Sequence, residues 1–83
     1  MQAGVEEEVE AKMEAERIGG IFNQFLEGLP VQSRVIFMRR YWYADSIREI
    51  ALRYSISESK VKTRLHRTRK ALRKYLESEG ISV

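Results

Sequence analysis

Two helix-start signals separated by a short turn constrain this chain more than any other feature. Ser46 is followed three residues later by Glu49, the spacing at which a serine hydroxyl and a glutamate carboxylate satisfy each other's backbone N–H groups. A helix is therefore predicted to start at Ser46, with Ile47, Ile50, Ala51 and Tyr54 recurring on one face. Ala51 is small where a second helix has to come close. Ser55-Ile56-Ser57 then supplies a turn, in which Ser57 is suited to cap the next helix and Ile56 is placed to pack on Val61. Ser55 falls where the turn calls for a left-handed backbone, which a non-glycine residue adopts at a cost of about 1 kcal/mol.

In the helix that follows, Val61, Leu65, Thr68, Leu72, Tyr75 and Leu76 share one stripe, while Ser59, Thr63, His66, Arg67 and Lys70 fall opposite. One side packs and the other faces out. Cations crowd it: Lys60, Lys62, Arg64, Arg67, Arg69, Lys70, Arg73 and Lys74. Lys60 and Lys62 stand near its N-terminus, where the helix dipole disfavours positive charge by roughly 0.3–1 kcal/mol each. A docked anion such as a nucleic-acid phosphate removes that conflict. A short helix, a tight turn and a long basic helix together read as a helix-turn-helix that binds DNA.

The upstream chain supplies two further helices. Ile18, Ile21, Phe22, Phe25 and Leu26 repeat at helical spacing, with Gly28 ending the run and Gly19-Gly20 loosening its start. Pro30 fits a first helical position, and Val31, Val35, Phe37, Met38, Tyr41 and Trp42 give a second apolar face. The aromatic run Tyr41-Trp42-Tyr43 is read first as core and second as a base-stacking platform. Arg39 and Arg40 face phosphate or solvent. The expected architecture is all-α, a small bundle of about four helices near residues 17–27, 30–42, 46–54 and 57–78. Residues 1–16, acidic with a thin stripe of Val5, Val9 and Met13, are expected to form a frayed helix or a flexible tail or linker, or a segment competing with DNA for the basic helix. Residues 17–79 form the domain, and residues 80–83 a C-terminal tail that starts where Gly80 stops the long helix.

Charge divides the same way. Residues 1–33 carry seven acids against two bases, and residues 34–83 thirteen bases against five acids, so the basic half is the binding half. With 83 residues, one small domain is the limit. The chain has one His, no Cys and no glycine-rich phosphate loop, and no carboxylate pair with a plausible pocket, so neither an enzyme, a metal centre nor a cofactor or small-molecule site is expected. No apolar run approaches the ~18 residues of a membrane span, and the acidic N-terminus does not resemble a signal peptide. Absence of cysteine is compatible with a reducing cytoplasm.

From Leu29 to Leu76, LPVQSRVIFMRRYWYADSIREIALRYSISESKVKTRLHRTRKALRKYL, the chain resembles region 4 of the sigma-70 family of bacterial transcription factors, in the short form typical of extracytoplasmic-function members. The likeness rests on three segments in order: the helix opening with Leu-Pro and ending in Arg-Arg-Tyr, the SIREIA helix, and the KVKTRLHRTRKALRKYL helix. It implies a domain that recognises the minus-35 promoter element through the second helix of the pair and is held on RNA polymerase by the β flap. An anti-sigma factor is a further implied partner. It also implies an ion pair of Arg34 with Glu49 across helices. Ser55 stands where the family often has Gly, and Ser59-Lys60 where it often has Gly-Thr, so the promoter sequence read does not carry over. The polymerase-core-binding and strand-opening region of such factors is not in this sequence, and the chain is expected to be a fragment or a truncated relative.

Side chains at the start of the second helix reach deepest into a major groove, which makes Ser59, Lys60, Thr63 and Arg67 the expected base readers. Arg48, Lys62, His66, Arg69, Lys70 and Lys74 are the expected phosphate contacts, with His66 equally readable as a solvated residue. Ser46, Glu49 and Ser57 are the helix caps. Two other readings use the same residues: a protein-interaction module that binds polymerase or an anti-sigma factor without reading DNA, and a stand-alone dimeric helix-turn-helix regulator on a palindromic site.

Overall fold

The computed structural model describes residues 3–81, the side chain of residue 3 excepted. It consists of four helices, α1 (Ala3–Glu27), α2 (Val31–Tyr41), α3 (Ile47–Tyr54) and α4 (Glu58–Ser78), with no strand among the described residues. The all-α architecture with a C-terminal helix-turn-helix is the one the patterning called for.

Local chemistry sets the ends of the last two helices. The Glu49 N–H donates to Ser46 Oγ at 3.0 Å and the Ser46 N–H donates to Glu49 Oε1 at 3.0 Å, completing a capping box. α3 stops because Ser55 turns left-handed, with φ 54° and ψ 45°, and the N–H groups of Ser55 and Ile56 both donate to the Ala51 carbonyl. Ser57 Oγ accepts from the Lys60 N–H at 3.1 Å and opens α4 two residues later in the chain than Ser55. α4 ends in a Schellman turn: Gly80 has φ 80°, its N–H donates to Glu77 O at 3.0 Å, and the Ile81 N–H donates to Leu76 O at 2.9 Å.

α4 is the element on which the others pack, touching α1, α2 and α3. Its Val61 and Leu65 meet Ile50 and Ala51 of α3, Ile36 and Phe37 of α2, and Phe25 and Leu26 of α1 in one cluster. Ile36, Ile50, Val61 and Leu65 are essentially sealed from water, which stabilises the fold by about 1.5–3 kcal/mol per side chain. Phe22 tilts against Phe37 at 6.0 Å between ring centroids and Phe25 against Tyr75 at 5.5 Å, which joins α1 to both α2 and the far end of α4. The Tyr75 hydroxyl also donates to Gln24 Oε1 at 3.3 Å.

Three sequence expectations are corrected. α1 begins at Ala3 rather than near Arg17 and runs through Gly19 and Gly20 without a break. Its residues 4–20 are exposed, so this part is held by helix-forming residues such as Ala, Glu, Lys and Met and by local pairs such as Arg17 with Glu14 at 2.7 Å. Apolar periodicity, which detects packing, does not register such a segment. Pro30 caps α2 from outside, with φ −54° and ψ 145°, instead of occupying its first turn. The buried face of α2 is Ile36 and Phe37, whereas Val31 is 65% exposed.

The end of α2 accounts for a further correction, because Tyr41, Trp42 and Tyr43 are not core. They are 50%, 76% and 58% exposed. The helix widens at its last turn, where the Trp42 and Tyr43 N–H groups both donate to Met38 O and the Asp45 N–H reaches Arg39 O at 2.9 Å. Ala44 then adopts φ 58° and swings the chain toward α3, leaving the three rings outside.

Candidate nucleic-acid interface

The candidate surface is the face of α4 opposite Val61, Leu65 and Thr68, all three of which are buried. Burying that stripe fixes the rotation of the helix and commits the other side to solvent. Ser59, Lys60, Thr63 and Arg67, which sequence reasoning assigned to base reading, are all exposed there and line one surface hollow. Arg64 lines the same hollow and is half-buried. It was missed, although its position four residues after Lys60 and three before Arg67 puts all three in one row.

The residues assigned to phosphate divide. His66, Arg69 and Lys70 line a second hollow on α4, together with Arg73, which had no assigned role. Lys62 and Lys74 are exposed on the same helix but belong to neither hollow. Arg48 is not with them: it lines a hollow on α3 with Leu52, Ser55, Ile56 and Glu58. At about 100° per residue, Lys62, His66, Arg69 and Arg73 form one flank of the outward face, and Lys60, Arg64 and Arg67 form a row beside Thr63. A basic face of this kind suits a major groove, whose base edges are reached by the first turns of an inserted helix, here Lys60, Thr63 and Arg67, and whose phosphates run beside a flank such as that of Lys62 and Arg69.

Two networks hold the edges of this surface. Arg69 Nη1 donates to Tyr41 Oη at 2.6 Å, tying the α4 flank to the end of α2. Asp45, between α2 and α3, gathers arginines: its Oδ2 lies 3.0 Å from Arg39 Nε and 4.0 Å from Arg53 Nε, and its carbonyl accepts from Arg40 Nη1 at 3.1 Å. The Arg39–Asp45 contact is an ion pair without hydrogen-bond alignment, and Arg39 Nε and Asp45 Oδ2 are both buried without a hydrogen-bond partner. Arg39 also lies over the Tyr43 ring, 4.7 Å from its centroid. Arg39 and Arg40 thus brace the α2–α3 connection, a role that spacing alone does not reveal because Asp45 lies in a loop.

The Arg34–Glu49 ion pair is not formed. The Glu49 carboxylate is engaged by Ser46, whose backbone N–H and then hydroxyl are the main causes holding its pKa below the usual value, and no ion pair between the two residues occurs among the described residues. Among the described residues no cluster of three or more His, Asp or Glu side chains is placed to hold a metal. No helix there is long and apolar enough to cross a membrane.

The turn between α3 and α4, the buried stripe and the basic outer face define a helix-turn-helix domain of the DNA-binding class. Comparison with protein families matches the family described as Sigma-70, region 4 over residues 20–72. The chain belongs to that family, whose domains are the non-enzymatic, DNA-binding helix-turn-helix parts of sigma factors. Neither the curated proteins nor the solved structures returned a match.

Proposed function

We propose that this chain is the promoter-recognition domain of a sigma factor of the extracytoplasmic-function type, reading the minus-35 element with α4 in the major groove while docked on the β flap of RNA polymerase. The carrying observation is that Ser59, Lys60, Thr63 and Arg67 share one exposed hollow on a helix whose opposite stripe is buried. Lys60 and Arg67 make bidentate or single donations to base acceptors, and the hydroxyls of Ser59 and Thr63 pair with either donors or acceptors. Lys62, His66, Arg69, Lys70 and Lys74, with Arg73, neutralise phosphates and supply affinity shared by every sequence. Arg48 makes a separate phosphate contact from α3. Such a domain works in the cytoplasm, where polymerase, promoter and any anti-sigma factor are found.

Selection of bound duplexes from a random pool at moderate salt tests this reading. A short asymmetric motif is expected. Enrichment of a palindrome with two half-sites marks a dimeric regulator, and no enrichment marks a protein-interaction module.

A further inference from the structure

The aromatic corner at the end of α2 has no place in the recognition scheme above. Trp42 is the most exposed large hydrophobic residue described, at 76%, and it stands between two half-exposed tyrosines. Single exposed apolar side chains are ordinary, but consecutive aromatic rings at one corner form a patch. The corner is also held rigid. Ala44 sits in a left-handed conformation that L-residues rarely adopt, and Arg39, Arg40 and Arg53 converge on Asp45 beside it. Strain maintained by several braces fixes the direction in which the rings project.

What the rings meet is indicated by Arg69. The 2.6 Å hydrogen bond from its guanidinium to Tyr41 Oη joins the corner to the α4 flank of Lys62, His66 and Arg73. A duplex seated on α4 presents one of its phosphate walls along that flank. Tyr41 is the neighbour of Arg69 on that side, and Trp42 and Tyr43 follow it in the chain. Paired bases are stacked on one another and unavailable to these rings. The sugars and phosphates are available, and the Trp Nε1–H and Tyr O–H groups are donors suited to phosphate oxygens.

We propose that Tyr41, Trp42 and Tyr43 form a second DNA-contacting element, in which Tyr41 positions Arg69 toward a phosphate and Trp42 and Tyr43 lie against the sugar–phosphate backbone flanking the segment read by α4. This rests on the DNA-binding reading of α4. The element carries no base preference of its own. It adds affinity to every duplex and, because the corner is preorganised, does so with little loss of side-chain freedom on binding.

Trp42 is the sole tryptophan, so its emission reports on this corner alone. The full chain is titrated with a labelled duplex, following label anisotropy and, in the same samples, acrylamide quenching of Trp42. The expected result is one transition in both signals, with Trp42 shielded at saturation. Tyr41→Phe removes the hydroxyl but keeps the ring that packs 4.7 Å from Phe37, and Trp42→Ala alters an exposed residue, so both variants remain folded. Each is expected to weaken selected and scrambled duplexes alike by about three- to tenfold, with an unchanged selected motif. A full anisotropy transition that leaves Trp42 quenching as it was overturns the proposal while sparing the α4 reading. Absence of any anisotropy transition defeats both. Shielding of Trp42 by RNA polymerase, and not by duplex, assigns the corner to a protein partner and also overturns it.

Discussion

α1 and α4 are the two long helices, 25 and 21 residues, and they are stabilised by different physics. The first two-thirds of α1 bury no side chain: residues 4–20 are exposed, including Val5, Val9 and Met13. That segment exists through intrinsic propensity and pairs such as Glu14–Arg17. α4 is anchored by Val61, Leu65 and Thr68 and carries charges that local rules disfavour, with Lys60 and Lys62 near its N-terminus. A helix secured by packing can hold such charges in place. Its outer face is thereby available for a ligand rather than for its own stability.

The largest effect that distinguishes the two helices is core truncation. Leu65→Ala should lower unfolding stability by about 2–5 kcal/mol in a denaturant titration, whereas Val9→Ala should change it by less than about 0.5 kcal/mol. Similar losses at both sites would break the comparison. Next come the two left-handed non-glycine residues that bracket α3. Ala44→Gly and Ser55→Gly should each raise stability by up to about 1 kcal/mol in the same titration, and a loss at Ser55 would reveal a role for its side chain.

Gly19 and Gly20 sharpen the contrast further. A Cβ added at either meets no atom within 4 Å, so Gly19→Ala with Gly20→Ala should increase far-ultraviolet helical ellipticity while leaving the global unfolding midpoint nearly unchanged. A large upward shift of the midpoint would mean that the exposed arm is coupled to the core. The smallest effect expected is at the α3 capping box. Glu49 has its pKa lowered in the folded state by Ser46, so its contribution is present above the unfolded value and is lost as pH falls through the lower folded one. Comparing acid unfolding of the parent with Glu49→Gln should show this dependence only in the parent.

The helix-turn-helix was legible because its information is local. Ser46, Glu49, Ser57 and the stripe from Val61 to Tyr75 state their own ends and faces, and the structure places Val61 and Leu65 at the centre of the core. What escaped depends on contacts between distant residues. The braces on Asp45 come from α2 and α3, and the Arg69–Tyr41 bond spans two helices. Without the turn at Ala44, the spacing of Tyr41 and Trp42 looks like a continuation of the α2 core face. The regular helix over residues 4–16 was only half legible, as a frayed helix or tail, for the opposite reason: it is exposed, so no buried face marks it in the sequence.

The central claim, that the outer face of α4 reads bases while its flanks grip phosphate, is tested most directly by measuring each variant's affinity for the selected and a scrambled duplex. Lys60→Ala and Arg67→Ala should cost about 1–3 kcal/mol on the selected duplex and far less on the scrambled one. Lys74→Ala should weaken both equally and reduce the slope of log affinity against log salt by about one unit. Equal losses on both duplexes for Lys60→Ala and Arg67→Ala, with circular dichroism unchanged, would contradict the claim.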